Sequence, residues 1–305
     1  MWSIRSRKVT FYPWGKKEGI NVILWREDGR LLIFHILKRP NLRVFIALAF
    51  IVFTIAGCGT LQNGRRWGQY AIYPMVPERI SHAAYDALFD LQTLLPLSGA
   101  LFFRLDHYDQ RVSTWATKHH PVFGSSDNAR QAADYLSFGL GAETLITALA
   151  TPNGKGPKNR VVKKTKEVGI ELGAELATAG VTRLLKVTTD RTRPTGGENS
   201  FPSGHASNAF SSATLSNRNL SSIKMPEKFR MPLQWWNIFL ATGVSWARVE
   251  EGAHYPSDVL AGAALGHFFS AFIYDAFIGT SEHKSWGLCV SPTKGGAIIG
   301  ASFVF

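Results

Sequence analysis

KVTTDRTRP at 186–194, PSGH at 202–205 and RVEEGAHYPSD at 248–258 are three clusters in fixed order, and their spacing sets both the fold and the site to expect. Lys186 and Arg193 stand seven residues apart. They are expected to project from one helix end and the turn after it, where Pro194 bars the helix from continuing. In the second cluster Ser203 offers a hydroxyl, Gly204 lets the backbone approach an oxyanion, and His205 opens a predicted helix. Backbone amides at a helix start favour anions. In the third cluster His254 and Asp258 are four apart. They are expected to share a helix face, so that the carboxylate holds one ring nitrogen while the other faces the pocket. With Arg248 as a third cation, the clusters predict a phosphate pocket containing a histidine nucleophile and its orienting carboxylate.

This arrangement resembles the type 2 phosphatidic acid phosphatase superfamily, which also includes the class A acid phosphatases and the vanadium haloperoxidases. Its signature is Lys-x6-Arg-Pro, then Pro-Ser-Gly-His, then Ser-Arg-x5-His-x3-Asp. The sequence matches at every position except Ala247, which stands where the family has the Ser before the third motif's Arg. That Ser orients rather than reacts, so the departure touches one supporting hydrogen bond. The resemblance implies an all-α helical bundle and a role for each residue. His254 attacks phosphorus and becomes a phosphohistidine, Asp258 fixes its tautomer, and His205 protonates the leaving alkoxide. Lys186, Arg193 and Arg248, with the Ser203 hydroxyl and the Gly204 amide, bind the equatorial oxygens, because phosphoryl transfer depends on positioning and charge stabilisation. No cofactor is expected, and no metal: the sequence lacks a His-Glu-x-x-His run, a paired-Cys motif and a calcium loop. His35, His82, His107, His119, His120, His267 and His283 have no such context and read as structural or surface residues.

At 305 residues, 45% hydrophobic and 18% charged, the chain is expected to form one helical domain with extras. Half of the +12 net charge lies in residues 1–41. A second basic cluster, Lys155, Lys158, Arg160, Lys163, Lys164 and Lys166, could meet anionic lipid headgroups. No nucleic-acid partner is expected, since no recognised module accompanies the charge.

LRVFIALAFIVFTIAGC at 42–58 has a short basic start at Arg43, an apolar stretch of secretory length, small residues at Ala56 and Gly57, and then Cys58. It looks like a bacterial lipoprotein signal, with Cys58 as the lipidated mature N-terminus and a lipid anchor as the membrane partner. Translation is then expected to start at Leu42, and residues 1–41 to be an extension without function. Gly59 follows the cysteine, which favours the periplasmic face of the outer membrane. An integral inner-membrane protein is the alternative.

The domain order expected is an extension at 1–41, a signal peptide at 42–57, a linker at 58–80, a phosphatase domain at 81–280 and a C-terminal β-hairpin at 281–305. Helical patterns run from 81 to 105 with an interruption at Pro96, from near Asp109, and from 128 to 150 with Ser126 or Asp127 as cap. They continue from 163 to 186 with Val168, Leu172, Leu176 and Ala179 inward, over a short stretch at 204–215, and from 235 to 249. The last, 257–278, is Gly/Ala-rich enough to pack closely between neighbours. None of these helical runs is both longer than 18 residues and free of charge, which favours a soluble bundle tethered by lipid. The activity expected is a metal-independent phosphatase of the cell envelope, acting on a phosphorylated lipid or small phosphomonoester. The alternatives are a vanadium-dependent haloperoxidase, disfavoured by the compact motif span, and a non-catalytic lipoprotein, disfavoured by the intact charged set.

Overall fold

The computed structural model describes residues 21–27, 30–36, 77–152, 160–279, 286–293 and 296–303. The expected signal segment, Cys58 and nearly all of the linker lie outside them. Residues 1–51 form one compact unit. Within it β1 (Asn21–Glu27) pairs antiparallel with β2 (Arg30–Ile36), Asn21 opposite Ile36.

In the second unit, residues 52–305, the described residues from 77 to 279 are mainly helical. Its described helices are α1 (Pro77–Leu88), α2 (Leu91–Arg104), α3 (Tyr108–His119), α4 (Ser126–Ala150), α5 (Arg160–Thr189), α6 (Gly204–Ser222), α7 (Glu227–Glu250) and α8 (Pro256–Phe277). They are followed by a hairpin of β3 (Trp286–Thr293) and β4 (Gly296–Phe303), in which Cys289 stands opposite Gly300. The all-helical architecture agrees with the sequence reading, and several boundaries move. The first interruption falls at 89–90, where the Asp90 side chain accepts from the Gln92 amide at 3.1 Å and caps α2. Pro96 lies inside α2. Ser125, rather than Ser126 or Asp127, caps α4 by accepting from the Asn128 amide. The stretch from 204 continues to Ser222, because its interior is lined with small side chains that let it run through the middle of the bundle.

The sidedness of α5 reverses the expectation. Lys164, Glu167, Glu171, Ala174, Thr178 and Thr182 are buried, whereas Leu172, Leu176, Leu184 and Val187 face outward, Leu176 being 64% exposed. The reason lies in the facing helix: α6 presents Ser, Thr and Asn, which satisfy polar partners and offer apolar ones little. Asn219 donates to Glu171 at 3.0 Å, Ser212 to Glu175 at 2.9 Å, and Thr182 to Ser207 at 3.0 Å. Lys164 donates to the carbonyls of Ala148 and Thr151 at 2.8 Å each. The same inversion recurs across the bundle. Leu95, Leu101 and Phe102 on α2, Tyr135 and Phe138 on α4, and Trp235, Trp236 and Phe239 on α7 are exposed. A hydrophobic period locates a face and leaves open which medium that face meets.

The close packing expected of the last helix is present and sets the site. A Cβ on Gly262 would come within 2.6 Å of the Ser203 carbonyl oxygen, and one on Gly266 within 2.2 Å of that of Ser207. α6 and α8 therefore touch backbone to backbone, which brings the start of α6 against the start of α8. The Ser203 amide donates to the Asp258 carbonyl at 2.9 Å and locks the two starts together.

Candidate active site

Four helix ends meet at one end of the bundle. Lys186 is in the last turn of α5, Ser203 caps α6, Arg248 is in the last turn of α7, and Asp258 is in the first turn of α8. The loop from 190 to 203 is held by Arg193 N–H to the Gly197 carbonyl at 2.6 Å and Ser200 N–H to the Arg191 carbonyl at 2.7 Å. Lys186 Nζ donates to the Asn199 carbonyl at 2.8 Å and passes close to Gly204. Arg193 Nε donates to the Glu198 carbonyl at 2.9 Å.

His254 precedes α8 in a tight turn. Gly252 supplies the positive φ of 81° that the turn needs, and a Cβ there would meet the methyls of Thr195 and Thr117 at 2.8 and 2.9 Å. The His254 amide donates to the Arg248 carbonyl at 3.2 Å, which ties the turn to the end of α7. Ala247 packs at 0% exposure in an apolar cluster with Leu140 and Val244.

One expectation fails here. Since His254 lies outside the helix, it shares no helix face with Asp258, and the carboxylate does not touch the ring. His254 Nδ1 instead lies 2.6 Å from the backbone carbonyl of Ser200. A carbonyl only accepts, so Nδ1 carries the proton and Nε2 keeps its lone pair. Asp258 acts one step back. Its Oδ2 accepts from the Ser200 hydroxyl at 2.5 Å and from the Tyr255 amide at 2.9 Å, and its Oδ1 accepts from Arg191.

Burial, followed by the charges of Lys186 and Arg248, holds His254 well below its ordinary value of 6.5, and Arg193 adds to the effect against the bond to Ser200. All three cations of the sequence-predicted set thus lie near enough to this imidazole to act on it. Burial and the neighbouring Arg193 lower the Lys186 ammonium to about 8, so it remains charged at neutral pH. His205, lowered by burial and then by Arg248, has Asp134 of α4 at 3.1 Å from its Nε2 to pull it back up. Arg248 is 7% exposed and pairs with Glu251. Such a site can bind a dianionic oxyanion against three cations and present it to a neutral, oriented imidazole. Among the described residues no group of three or more His, Cys, Asp or Glu is arranged to hold a metal ion.

Arg191, Ser200, Asp109 and Asp134 belong to this constellation and carry no functional reading in the sequence, and Glu251, which also belongs to it, reads there only as a surface ion-pair partner of Arg248. Arg191 stands inside the first cluster, between the two cations that were read. Asp109, far away in the sequence, reads there only as the start of a helix.

Residues 185–279, from the last turn of α5 to just beyond α8, match the family model described as the PAP2 superfamily. That segment is a match to the PAP2 superfamily. The PAP2 segment holds Lys186, Arg193, Ser203, Gly204, His205, Arg248, His254 and Asp258, while α1 to α4 supply supports such as Asp109 and Asp134 from outside it. The chain is also similar to the crystal structure of the first transmembrane PAP2 type phosphatidylglycerolphosphate phosphatase from Bacillus subtilis, at 17% identity and a TM-score of 0.47, over 66% of this chain and 100% of that one. No curated protein matches the sequence.

Proposed function

We propose that this protein is a metal-independent phosphatase of the cell envelope that hydrolyses phosphate mono- or pyrophosphate esters, lipid phosphates foremost. The observation that carries the reading is the electrostatic convergence of Lys186, Arg193 and Arg248 on a buried, neutral His254 whose Nε2 lone pair is left free. Nε2 attacks phosphorus, the P–O bond to the leaving alkoxide breaks, and His205 gives the alkoxide its proton. Water then attacks the phosphohistidine and loses a proton to His205, and the P–N bond breaks to release phosphate. The cations hold the equatorial oxygens throughout, with the Ser203 hydroxyl and the Gly204 amide at the start of α6.

A cavity of about 770 Å³ supports a lipid substrate. It is within the size range of small-molecule sites. Leu91, Leu95, Phe210, Trp235, Ile238 and Leu260 line it, and it also takes in Ser245, three residues before Arg248, and Val259, beside Asp258. An apolar chain seated there would have its headgroup near the cations. Purified protein is expected to release phosphate from a phosphomonoester in excess EDTA. Loss of activity on chelation, restored by a divalent ion, would overturn the mechanism.

The outward apolar faces of α2, α4, α5 and α7 support seating of the bundle in a membrane, since contiguous exposed apolar surface marks contact with lipid or protein. α8 is long and apolar enough to cross a membrane, although it is mostly buried, and so is the bent pair Pro77–Leu88 with Leu91–His119. These faces favour the integral alternative over the soluble, lipid-tethered bundle, and a lipid on Cys58 is then a second anchor. Cys58→Ser protein is therefore expected to stay in the membrane fraction after an alkaline carbonate wash. Its full release would mean that the lipid alone holds it.

A further inference from the structure

The bond that orients His254 comes from a backbone carbonyl, which has no side chain to fix it. Ser200 must itself be held. Its amide donates to the Arg191 carbonyl at 2.7 Å, and its hydroxyl donates to Asp258 Oδ2 at 2.5 Å. Both holds lead to one residue, because Asp258 Oδ1 accepts from Arg191 Nη1. The guanidinium is then fixed on its other sides. Nη1 also donates to the Ser257 hydroxyl at 2.9 Å, Nη2 donates to Asp109 Oδ2 at 2.9 Å, and the plane lies over the Tyr255 ring at 4.1 Å. Asp109, buried at the start of α3, accepts in addition from the Ser257 amide at 2.8 Å and from its hydroxyl.

We propose that Arg191, clamped by Asp109, positions the nucleophile: through its own carbonyl and through Asp258 it fixes Ser200, whose carbonyl sets the tautomer and direction of the His254 ring. The inference rests on His254 being the nucleophile of the proposed phosphatase. It gives Arg191 work different from that of Lys186, Arg193 and Arg248. Two carboxylates, the Ser257 hydroxyl and the Tyr255 ring occupy the guanidinium, so it has no charge to spare for a substrate oxygen. A planar fork suits this junction because it can meet Asp258 and Asp109 at once, whereas an ammonium meets one or the other. Asp109 carries the clamp to a helix outside the PAP2 segment.

The test uses the full-length protein and Arg191→Gln, Arg191→Lys, Asp109→Asn and Ser200→Ala, each checked for unchanged thermal unfolding. Loss of an outer partner of this kind costs roughly 10- to 100-fold. Arg191→Gln is expected to lower kcat by that order, with KM and inhibition by inorganic phosphate little changed, while inhibition by vanadate, which needs the positioned ring, weakens in step with kcat. Arg191→Lys should recover part of the loss, and Ser200→Ala and Asp109→Asn should lose less than Arg191→Gln. Phosphate inhibition weakening in parallel with kcat would make Arg191 an anion ligand and overturn the proposal, as would an unchanged kcat. A readout independent of turnover separates this failure from that of the phosphatase reading. With ¹⁵N-histidine protein, the Nδ1 proton of His254, assigned by its loss in His254→Asn, should exchange slowly in the unsubstituted protein and rapidly in Arg191→Gln. A signal indifferent to Arg191→Gln would refute the clamp even in a protein that proved to have no phosphatase activity.

Discussion

His254→Ala is expected to abolish phosphate release, by on the order of 10⁴-fold or more, the scale on which loss of a covalent nucleophile is felt. The ring sits at 2% exposure with Nδ1 committed to Ser200, so no neighbouring group can take over the attack from the same place. His205 makes a useful contrast. It is more open, and its partner Asp134 is at the rim, as suits a group that hands a proton to a departing alkoxide. His205→Ala should cost roughly 10² to 10⁴ with an alkyl phosphate, and much less with p-nitrophenyl phosphate, whose leaving group needs no proton. The pH profile gives a further check. Because the folded protein lowers the His254 pKa, the ring stays unprotonated below 6.5, and the acid limb of kcat/KM that reports it should lie below that value. Near-normal turnover of His254→Ala, or an equal deficit for both substrates in His205→Ala, would reassign the roles.

The sequence made the candidate groups legible because each is a rare chemistry at a fixed spacing on a helix end: Lys186 at the end of α5, His205 at the start of α6, Arg248 at the end of α7. Capping and proline placed those ends to within a turn. Two other kinds of information were out of reach. The sidedness of α5 depends on what the opposite helix offers, and α6 offers Ser207, Ser212 and Asn219, which draw Thr182, Glu175 and Glu171 inward. An apolar stripe such as Leu172 and Leu176 was therefore read as core and is surface. The second is the path of a backbone carbonyl. Spacing alone paired His254 with Asp258, but the chain leaves helical geometry at Gly252 and re-enters it at Pro256, which turns the ring toward Ser200. Arg191 was overlooked between Lys186 and Arg193 because a third cation in one short stretch reads as more of the same charge. Only its contacts with Asp258 and Asp109 show that it is spent on structure.

Arg248→Ala is expected to lower kcat/KM by roughly 10²- to 10³-fold, the scale of removing one donor aimed at transition-state charge. The backbone part of the residue survives the change: its carbonyl still receives the amides of Ala253 and His254, at 3.1 and 3.2 Å, so the turn that carries the nucleophile should persist. What is lost is a cation, and what remains is Glu251, the carboxylate that Arg248 pairs with. Unpaired beside the oxyanion pocket, that carboxylate would repel a phosphoryl group that Lys186 and Arg193 still attract. The two contributions separate in a double substitution. Arg248→Ala with Glu251→Gln should recover part of the loss, and inhibition by inorganic phosphate should recover with it, because relief of repulsion acts on the bound anion as well as on the transition state. Glu251→Gln alone should change phosphate inhibition little, since Arg248 already neutralises the carboxylate. If phosphate inhibits the Arg248→Ala protein as strongly as the parent, Arg248 does not face the oxyanion and the three-cation pocket is wrong; if it weakens but the double substitution recovers nothing, the pocket stands and the role given to Glu251 fails.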